Sequence, residues 1–362
     1  MARIGLAGGG TGGHVYPALA IADALRARGH DIVYYGDAGR LEGRVVPERG
    51  YAFRALVAPQ LPRGGILGRL RFLWGLGRSV LQVRRQLRDD GIHAILGVGG
   101  YISAPPVLAA WTLGRPRAVH EANVVPGMAN RLCARVAQAV LLTYEATRHR
   151  LPGTAPRTVV GVPVHPAIGT GDRAEGRARY GFDALRPVVT FVGGSLGAAR
   201  INEMAVAFSR RPGRGVQVLH LTGPKNLDGV LATYGTVPEG VVVRGYEDQM
   251  RLAYAASDLV VGRAGSSTLA ELCAAGKASV LVPSPNVTEN HQEENARGLV
   301  SAGAAELILE PGMDLEAAVA QVLALAGDEA RRTAMGEAAR SLARPDAAER
   351  AADVVESLLR DA

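Results

Sequence analysis

The same local pattern occurs twice in this chain: a short apolar run, a glycine-rich loop and a stretch with helical periodicity. In the first half, Ile4–Leu6 leads into Ala7–Pro17 (AGGGTGGHVYP) and then a helical pattern over 18–28. In the second half, Pro187–Phe191 leads into Val192–Ala198 (VGGSLGA) and another helical pattern. Glycines permit positive φ and carry no Cβ, so such a loop lets backbone N–H groups approach an anion at a helix N-terminus. The repetition predicts two similar α/β units, each with a ligand-binding loop.

Short apolar runs alternate with helix-length segments along most of the chain, which is typical of βαβ units and parallel sheets. In the first half the alternation predicts strands over Ile4–Ala7, Asp31–Tyr35, His93–Leu96, Ala118–His120 and Ala139–Leu142. In the second half it predicts strands over Pro187–Phe191, Val216–Leu221, Val241–Arg244, Leu259–Val261, Ser279–Val282 and Glu306–Leu309. Between the halves, the sequence GVPVHP at 161–166 is typical of a linker. A length of 362 residues fits two such domains.

Charge and composition narrow the class of protein. The net charge of +7 indicates an anionic partner, which could be phosphate, nucleic acid or an acidic membrane surface. The two cysteines, Cys133 and Cys273, lie far apart and form no metal-ligand pattern, as expected of free thiols in a reducing compartment. We identify neither a signal peptide nor an apolar run approaching the roughly 20 residues of a membrane span. The chain is therefore expected to be a globular α/β protein.

The segment Leu61–Asp90 combines positive charge with apolar and aromatic side chains. Its basic residues are Arg63, Arg69, Arg71, Arg78, Arg84, Arg85 and Arg88, and they interleave with leucines, valines and Trp74. A basic amphipathic helix of this kind is able to lie in a membrane interface. The pattern equally fits a surface helix that packs its apolar face on the sheet, so both interpretations remain open.

Three loops of the first half carry groups suited to proton transfer. His14 stands in the first glycine-rich loop, and histidine is the side chain that most readily exchanges a proton near neutral pH. Gly97–Tyr101 (GVGGY) and His120–Asn123 (HEAN) follow later strands, so we expect them at the same sheet edge. His14 and Glu121 are the candidate acid or base, whereas His120 fits a buried strand-end residue better.

The second half carries a candidate nucleotide site. Arg263–Glu271 (RAGSSTLAE) follows an apolar run and enters a helix, so Ser266–Thr268 would offer amides and hydroxyls to a phosphate. Glu271 lies one turn further and is placed to accept hydrogen bonds from ribose hydroxyls. Plain helix capping would also explain the hydroxyl residues, and Glu271 could be an ordinary surface residue. The polar loop over 283–295 offers amide and imidazole groups to sugar hydroxyls.

Two motifs are missing from the sequence. It contains no Asp-x-Asp pair, so a carboxylate-held metal on a diphosphate is not indicated, and phosphate charge would be met by helix N-termini, amides and basic residues. It contains no Walker A lysine motif, so ATP hydrolysis is not indicated. Asp37 leaves a nicotinamide dinucleotide as a weak alternative ligand.

Taken together and in this order, the motifs resemble those of the MurG family, the bacterial glycosyltransferases of peptidoglycan synthesis that make lipid II. The resemblance covers essentially the whole chain. It rests on Gly8–Pro17 (GGGTGGHVYP), Gly97–Ala104 (GVGGYISA), His120–Asn130 (HEANVVPGMAN), Gly193–Ala198 (GGSLGA), Arg263–Glu271 and His291–Asn295 (HQEEN).

The resemblance implies a GT-B fold, in which two Rossmann-like domains with parallel sheets face each other across a cleft. Residues 1–162 would form the acceptor and membrane-docking domain, and residues 163–343 would bind UDP-GlcNAc. Residues 344–362 would hold a helix that crosses back to the first domain, and Pro345–Glu349 does give a capping-box start to such a helix.

The implied reaction moves GlcNAc from UDP-GlcNAc to the C4 hydroxyl of MurNAc in undecaprenyl-pyrophosphoryl-MurNAc-pentapeptide (lipid I). The anomeric configuration would invert and give the β1,4 link of lipid II. The resemblance further implies no cofactor, no metal and no nucleic acid. It implies a peripheral location on the anionic cytoplasmic face of the cell membrane, with roles in cell wall biogenesis, cell shape and division.

The resemblance also assigns site residues. For proton transfer it implies His14, with Glu121 as the other candidate base. For the donor it implies Thr11, Gly12, Gly13, Asn123, Ser195, Tyr246, Glu247, Arg263, Ser266, Ser267, Thr268, Glu271, His291 and Gln292, with the main chain at Tyr246–Glu247 next to uracil. For the acceptor it implies Gly9, Gly10 and Tyr101, and for the membrane Arg71, Trp74 and Arg78.

Other functions also fit parts of the sequence. A lipid glucosyltransferase or a UDP-GlcNAc 2-epimerase would share the fold, and the epimerase would need no acceptor. A polyanion-binding protein would explain the net charge, but it would leave the glycine-rich loops without a role, and the basic residues lack a nucleic-acid motif.

Overall fold

The computed structural model describes residues 1–59, 65–194, 197–287 and 290–360, apart from the side chain of Ile66. The chain forms two compact units. The first consists of Met1–His165 and the C-terminal segment from Arg344, and the second consists of Pro166–Ala343.

The first unit is built on a parallel sheet of seven strands in the order β3-β2-β1-β4-β5-β6-β7. These strands are β1 (Arg3–Ala7), β2 (Asp31–Gly36), β3 (Ala52–Ala55), β4 (Ala94–Gly97), β5 (Arg117–Glu121), β6 (Ala139–Leu142) and β7 (Arg157–Val159). Its helices are α1 (Gly12–Ala27), α2 (Leu41–Glu48), α3 (Ile66–Asp89), α4 (Ala104–Thr112) and α5 (Met128–Ala134), joined by the last helix of the chain.

The second unit has a parallel sheet of six strands in the order β10-β9-β8-β11-β12-β13. The strands are β8 (Val188–Val192), β9 (Gln217–Leu221), β10 (Val241–Arg244), β11 (Leu259–Gly262), β12 (Ala278–Leu281) and β13 (Ala305–Leu307). The helices are α6 (Arg173–Tyr180), α7 (Ala199–Ser209), α8 (Leu227–Tyr234), α9 (Met250–Ala256), α10 (Ser266–Ala275), α11 (His291–Ser301), α12 (Leu315–Gly327) and α13 (Glu329–Ser341).

The strand order of each sheet reverses direction at one point. In the first unit the chain moves outward from β1 through β2, then returns and continues from β4 on the other side. In the second unit β8 has β9 on one side and β11 on the other. Ligands of open parallel sheets bind at such switch points, beyond the carboxyl ends of the strands. The glycine-rich loops after β1 and β8 and the loops after β4 and β11 therefore occupy the expected ligand positions.

The central strands are apolar on both faces because helices cover both faces of each sheet. Strands β4, β6, β8 and β11 are buried along their whole length. Each unit has two large apolar clusters. Continuous runs of valine, isoleucine and leucine are typical of parallel strands buried on both sides, and this is the α/β architecture that the sequence predicts.

Strands β3 and β7 were not predicted. Both lie at the edges of the first sheet, and their residues are only partly buried or exposed. Their sequences, AFRA and RTV, contain an arginine and lack a continuous apolar run. An edge strand with a solvent-facing side has little need of such a run, so the hydrophobic pattern gave no signal for these two.

The last helix, α14 (Ala347–Arg360), packs on α1 in the first unit. Its apolar face includes Ala351 and Val355, which belong to the same buried cluster as the inner face of α1. Arg28, which follows α1, donates hydrogen bonds to the Asp353 and Glu356 carboxylates at 2.7 and 3.0 Å. Burial of one face and ion pairs along its edge explain why the chain ends on the unit with which it began.

Candidate active site

The first glycine-rich loop joins β1 to α1. Helix α1 begins at Gly12, and its N-cap, Thr11, is in extended conformation and makes no side-chain capping bond. The first turn contains no acidic residue, and the His14 amide donates to the Thr11 carbonyl at 3.1 Å. The start of α1 therefore presents the partial positive charge of a helix N-terminus with no carboxylate in its own first turn.

The His14 ring packs against the loop that follows β4. A Cβ on Gly99 would lie 2.7 Å from the His14 Nδ1, and one on Gly100 would lie 3.5 Å from its Cδ2. Both glycines also have positive φ, of 103° and 77°. A side chain on Gly99 would displace the imidazole, and one on Gly100 would clash with the Gly9 carbonyl oxygen at 2.5 Å, so both glycines are needed where the two loops meet. The two loops predicted to converge do so through this contact.

The underside of the glycine-rich loop rests on two side chains that the sequence analysis missed. The Tyr34 hydroxyl donates to the Gly8 carbonyl at 2.8 Å, and the Gly10 amide donates to both Glu42 carboxylate oxygens at 3.2 and 3.3 Å. Glu42 is fully buried, and a Cβ on Gly9 would lie 2.1 Å from its Oε1. The Gly10 amide, expected to face the acceptor, is thus directed at Glu42.

A sequence signal for Glu42 did exist. Helix α2 buries Val45 and Val46, and Glu42 shares their face at the i, i+3, i+4 spacing. A carboxylate on an apolar helical face requires a hydrogen-bond donor, and the adjoining loop amides supply it.

Tyr101 lies beside the same loop. A Cβ on Gly10 would lie 3.9 Å from the Tyr101 Cε1, and Gly10 itself has a φ of 88°. Tyr101 is partly buried. The structure therefore brings Tyr101, His14 and the glycine-rich loop together, as the sequence predicts for loops at one sheet edge.

Glu121, at the end of β5, has its carboxylate bound within its own loop. Its Oε1 accepts from the Asn123 amide at 2.9 Å, and its Oε2 accepts from the Gly127 amide at 3.0 Å and from the Asn130 side chain at 2.9 Å. Burial raises the pKa of Glu121, against the opposing effect of these donors. Asn130, which the sequence analysis did not single out, completes this network by also donating to the His120 carbonyl.

His120 is a buried strand residue. Its Nε2 lies 2.8 Å from the Gly161 carbonyl oxygen, and burial lowers the pKa of His120 to about 4. A neutral histidine bonded to the backbone fits the structural interpretation rather than a role in proton transfer.

In the second unit, helix α10 begins at Ser266 directly after β11. Its N-cap is Gly265, which has no side chain to cap the helix, and its first turn, Ser266–Thr268, contains no acid. The Tyr254 hydroxyl donates to a Glu271 carboxylate oxygen at 2.7 Å. Burial raises the pKa of Glu271 to about 7, although the Tyr254 hydrogen bond opposes this shift.

Helix capping differs among the helices in the described part of the chain. Helices α1, α7 and α10, which follow strands at the switch points, have no side-chain cap and no acid in the first turn. The described helices α3, α4, α5 and α9 share this property. Three others, α6, α12 and α13, are capped by Asp172, Asp314 and Asp328, and each has a glutamate in its first turn. Uncapped N-termini at the switch points are the groups that can bind phosphate.

The loop between β8 and α7 is described only in part, and Ser195 lies outside the described residues. Gly197 packs closely on the neighbouring loop, since a Cβ there would lie 2.4 Å from the Thr222 carbonyl oxygen. Its φ of 76° also favours glycine. This part of the GGSLGA motif is therefore fixed by backbone packing.

Tyr246 and Glu247 differ in what they present. Tyr246 is 54% exposed, whereas Glu247 is buried. The Glu247 carboxylate accepts from the Tyr180 hydroxyl and the Arg244 guanidinium, both at 2.8 Å. Burial raises the pKa of Glu247, but donors such as the Gln249 amide outweigh burial and hold it at about 2. The Glu247 side chain is structural, so the main chain of this turn and the exposed Tyr246 ring are the groups available to contact a base.

Two further candidates are also held by intramolecular contacts. Arg263 donates to the Val282 carbonyl at 2.9 Å and forms an ion pair with Glu310. Gln292, in the first turn of α11, accepts a hydrogen bond from the Ser284 amide at 2.9 Å. Its neighbour His291 is partly buried. These contacts fix the loops beside α10 and α11.

Helix α3 has two apolar faces, one buried and one exposed. One face, including Val83 and Leu87, is buried in the first unit. The other carries exposed Leu67, Leu70, Leu73, Trp74 and Leu81, with Trp74 66% exposed. Arg71 and Arg78 are exposed, and the Arg78 guanidinium lies 4.7 Å from the centre of the Trp74 ring. No helix in the described residues is long and apolar enough to cross a bilayer.

Comparison with known proteins gives one consistent answer. Residues 4–142 match the glycosyltransferase family 28 N-terminal domain, and residues 188–351 match the glycosyltransferase family 28 C-terminal domain. The chain is 43% identical over 360 residues to a protein of Clavibacter michiganensis subsp. michiganensis, covering 97% of this chain and 95% of that one. It is 42% identical over 363 residues to a protein of Halorhodospira halophila, covering 98% of both. Both are named UDP-N-acetylglucosamine–N-acetylmuramyl-(pentapeptide) pyrophosphoryl-undecaprenol N-acetylglucosamine transferase.

Solved structures agree in fold. Acinetobacter baumannii MurG superposes with a TM-score of 0.77 at 27% identity, covering 99% of this chain and all of that one. The glycosyltransferase of kitacinnamycin superposes with a TM-score of 0.72 at 20% identity, covering 99% of both chains. The second match supports the fold alone.

Proposed function

The chain belongs to glycosyltransferase family 28, and from this we propose that it transfers GlcNAc from UDP-GlcNAc to the C4 hydroxyl of MurNAc in lipid I. The product is lipid II, the precursor of peptidoglycan. The names of the curated relatives give the donor sugar and the acceptor. Inversion at the anomeric carbon gives the β1,4 link.

The observation that carries this proposal is the arrangement after β11, where side chains and amides of the chain itself can bind a nucleotide. The uncapped first turn of α10 offers amides and the hydroxyls of Ser266–Thr268 to the diphosphate. Glu271, oriented by the Tyr254 hydroxyl, accepts hydrogen bonds from the ribose hydroxyls. The main chain at Tyr246 contacts uracil. The side chains of His291 and Gln292 bind the GlcNAc hydroxyls. We assign this donor role to residues 163–343.

The acceptor is assigned to residues 1–162. The uncapped start of α1, with Thr11–Gly13, interacts with phosphate and with the transferred sugar, while Gly9 and Tyr101 line the acceptor position. His14, held against Gly99 and Gly100, takes the proton from the acceptor hydroxyl as that oxygen attacks the anomeric carbon.

Glu121 is better suited to position residues than to transfer a proton. Both of its oxygens already accept hydrogen bonds from Asn123, Gly127 and Asn130. A base must reach the proton that it removes, and this carboxylate is buried under its own loop. We propose that Glu121 shapes the loop that presents Asn123 to the substrates.

The departing UDP gains negative charge as the sugar leaves. Backbone N–H groups and the positive end of a helix dipole stabilise such charge without rearrangement. The start of α10 supplies both, and the uncapped start of α7 supplies a second helix N-terminus in the same unit.

The transfer product tests this proposal directly. Incubation of the protein with UDP-GlcNAc and a short-chain lipid I analogue should give one disaccharide product whose anomeric proton shows a β-configured link to C4 of MurNAc by NMR. A product with an α link, or transfer to a diacylglycerol in preference to lipid I, would contradict it.

Replacing Glu42 with glutamine is expected to lower kcat/KM for the acceptor about tenfold, because hydrogen bonds to charged groups contribute about 1.5–3 kcal/mol. The glutamine amide group would face the Gly10 amide, so two donors would oppose each other beneath the loop. UDP affinity should not change, because Glu42 belongs to the first unit. Steady-state kinetics with each substrate varied in turn would measure the effect.

The matched control is Glu48→Gln, at the exposed end of the same helix, where the carboxylate pairs with Arg44 at 3.6 Å. This variant should behave as wild type. Equal behaviour of Glu42→Gln and Glu48→Gln would remove Glu42 from the acceptor site.

We further propose that the exposed face of α3 docks on the anionic cytoplasmic surface of the cell membrane, where lipid I is anchored. The triple variant Arg71→Ala, Trp74→Ala, Arg78→Ala should bind anionic vesicles at least about 30-fold more weakly, since each basic residue near such a surface contributes about 1 kcal/mol. Turnover of a soluble acceptor should be unchanged. Vesicle sedimentation measures the first effect and UDP release the second.

A control variant removes similar groups from the second unit: exposed Leu185→Ala with Arg200→Ala. It should sediment with vesicles as wild type does. If the α3 triple variant sediments equally well, this face does not dock on the membrane.

A further inference from the structure

A cavity of about 270 Å³ lies in the second unit, at the sheet edge where strands begin. Ser257 and Asp258, which line it, come just before β11, and Lys277 comes just before β12. The candidate donor groups instead follow the ends of β8 and β11. The cavity is therefore at the opposite edge of the sheet from the proposed nucleotide site.

Its lining is strongly basic. Arg173, Arg251, Lys277 and Arg340 face it together with one carboxylate, Asp258. These cations come from three helices, α6, α9 and α13, and from the segment after α10. Residues distant in sequence thus bring four positive charges to one concavity.

Nearby carboxylates neutralise only part of this charge. The Asp258 carboxylate accepts hydrogen bonds from Arg173 at 2.8 Å and from Arg177 at 2.7 Å. The Glu175 carboxylate accepts two hydrogen bonds from Arg251, at 2.9 and 3.1 Å. With Arg177 included, five cations face two carboxylates. Helices α9 and α10 also end here, and their two C-termini add about one negative charge between them. An excess of roughly two positive charges remains by this count.

Lys277 and Arg340 contribute most of this excess. The Lys277 ammonium donates to the Ser257 carbonyl at 2.8 Å, and a Cβ on Gly276 would lie 2.6 Å from the Arg340 Nε. Neither has a carboxylate within 4 Å among the residues that the structure describes. Burial lowers the pKa of Lys277 to about 8; the Asp258 carboxylate opposes this shift, and the neighbouring arginines add to it.

We propose that this cavity is a second anion site, which binds a phosphoryl group through Lys277, Arg340 and Arg173. A phosphoryl group carries up to two negative charges and accepts paired hydrogen bonds from guanidinium groups, which matches the excess charge and the arginines present. A free phosphate and the phosphate of a lipid headgroup offer the same chemistry to the cavity. Tyr254 lines this cavity and also donates a hydrogen bond to Glu271 of α10, so the cavity adjoins the helix proposed to bind the donor.

Calorimetry with inorganic pyrophosphate tests the site on the full-length protein saturated with UDP, so that the donor site is occupied. Wild type should bind pyrophosphate, and Arg340→Ala and Lys277→Met should each weaken binding at least about tenfold, as loss of a charge-assisted contact does. Arg331→Ala is the matched control, because this exposed arginine lies on the same helix and pairs with Glu306 at 2.7 Å. Absence of binding to wild type, or equal binding by all variants, would overturn the proposal.

Labelling with an amine-selective reagent at pH 8 gives an independent readout. Pyrophosphate should slow the labelling of Lys277, followed by mass spectrometry, while exposed Lys225 should react at an unchanged rate. Phosphatidylglycerol vesicles in place of pyrophosphate distinguish the sources: protection by vesicles indicates a headgroup, and protection by pyrophosphate alone indicates a soluble phosphate. Unprotected Lys277 with both would contradict the site.

Discussion

Replacing His14 with alanine is expected to lower kcat by about 10²–10⁴, the range that a positioned general base contributes. The imidazole packs against Gly99 and Gly100 at the switch point of the first unit, beside the uncapped start of α1. Its loss leaves the acceptor hydroxyl without a proton acceptor, but it leaves the donor groups of the second unit intact. UDP affinity should therefore stay within about twofold of wild type, a change well below the 1.4 kcal/mol of a tenfold effect.

Two comparisons make this result specific. His14→Ala should unfold at nearly the wild-type temperature, because the side chain is only partly buried. Glu121→Gln should lower activity together with thermal stability, since it disrupts the buried network that includes Asn130. If the His14 variant keeps full kcat, another group must be the base and the role of His14 is structural.

Replacing Glu271 with glutamine is expected to weaken UDP binding by about 10- to 100-fold and to stabilise the fold. The loss follows because hydrogen bonds to a charged group contribute about 1.5–3 kcal/mol, and the ribose hydroxyls would lose their charged acceptor. The gain follows because burial raises the pKa of Glu271 to about 7 in the folded chain. Ionised Glu271 therefore destabilises the folded state.

The pH dependence of the free energy of unfolding follows from the same shift in the pKa of Glu271. A carboxyl whose pKa is raised on folding favours the folded state below its unfolded value, and this contribution is lost as pH rises through about 7. At pH 8, Glu271→Gln should raise the free energy of unfolding by about 2 kcal/mol, allowing for partial exposure of the carboxylate. At pH 4 the variant and wild type should be nearly equal.

Donor affinity of the wild type should itself fall as pH drops below about 7, because the protonated carboxyl accepts hydrogen bonds more weakly. Fluorescence titration with UDP across this range would show the change, and Glu271→Gln should lack it. Glu203→Gln, an exposed carboxylate of the same unit, is the control and should bind UDP as wild type does. UDP binding that is unchanged in Glu271→Gln would remove Glu271 from the nucleotide site.

The architecture could be predicted from the sequence because parallel strands buried on both faces give continuous apolar runs. Strands such as β8 and β11 are apolar throughout, and each is followed by small residues and a helix. Edge strands β3 and β7 lack such a pattern, since their residues are exposed or only partly buried. The strand order within each sheet, which defines the switch points, comes from long-range pairing that no local pattern contains.

The site was predictable by residue type but not by contact. The glycines of GVGGY are visible in sequence, yet only the structure shows that Gly99 is required by the His14 ring. Glu121 and Glu247 look alike as isolated acids near strand ends. Their partners, Asn130 for one and Tyr180 with Arg244 for the other, lie on different elements and turn both into structural groups.

The most direct test of the proposed function is UDP release from UDP-GlcNAc, measured with and without a short-chain lipid I analogue. We predict release that requires the acceptor, matches the disaccharide formed mole for mole, and collapses in His14→Ala. Release that proceeds equally without acceptor, or conversion of UDP-GlcNAc to its 2-epimer, would contradict transfer to lipid I as the function of this chain.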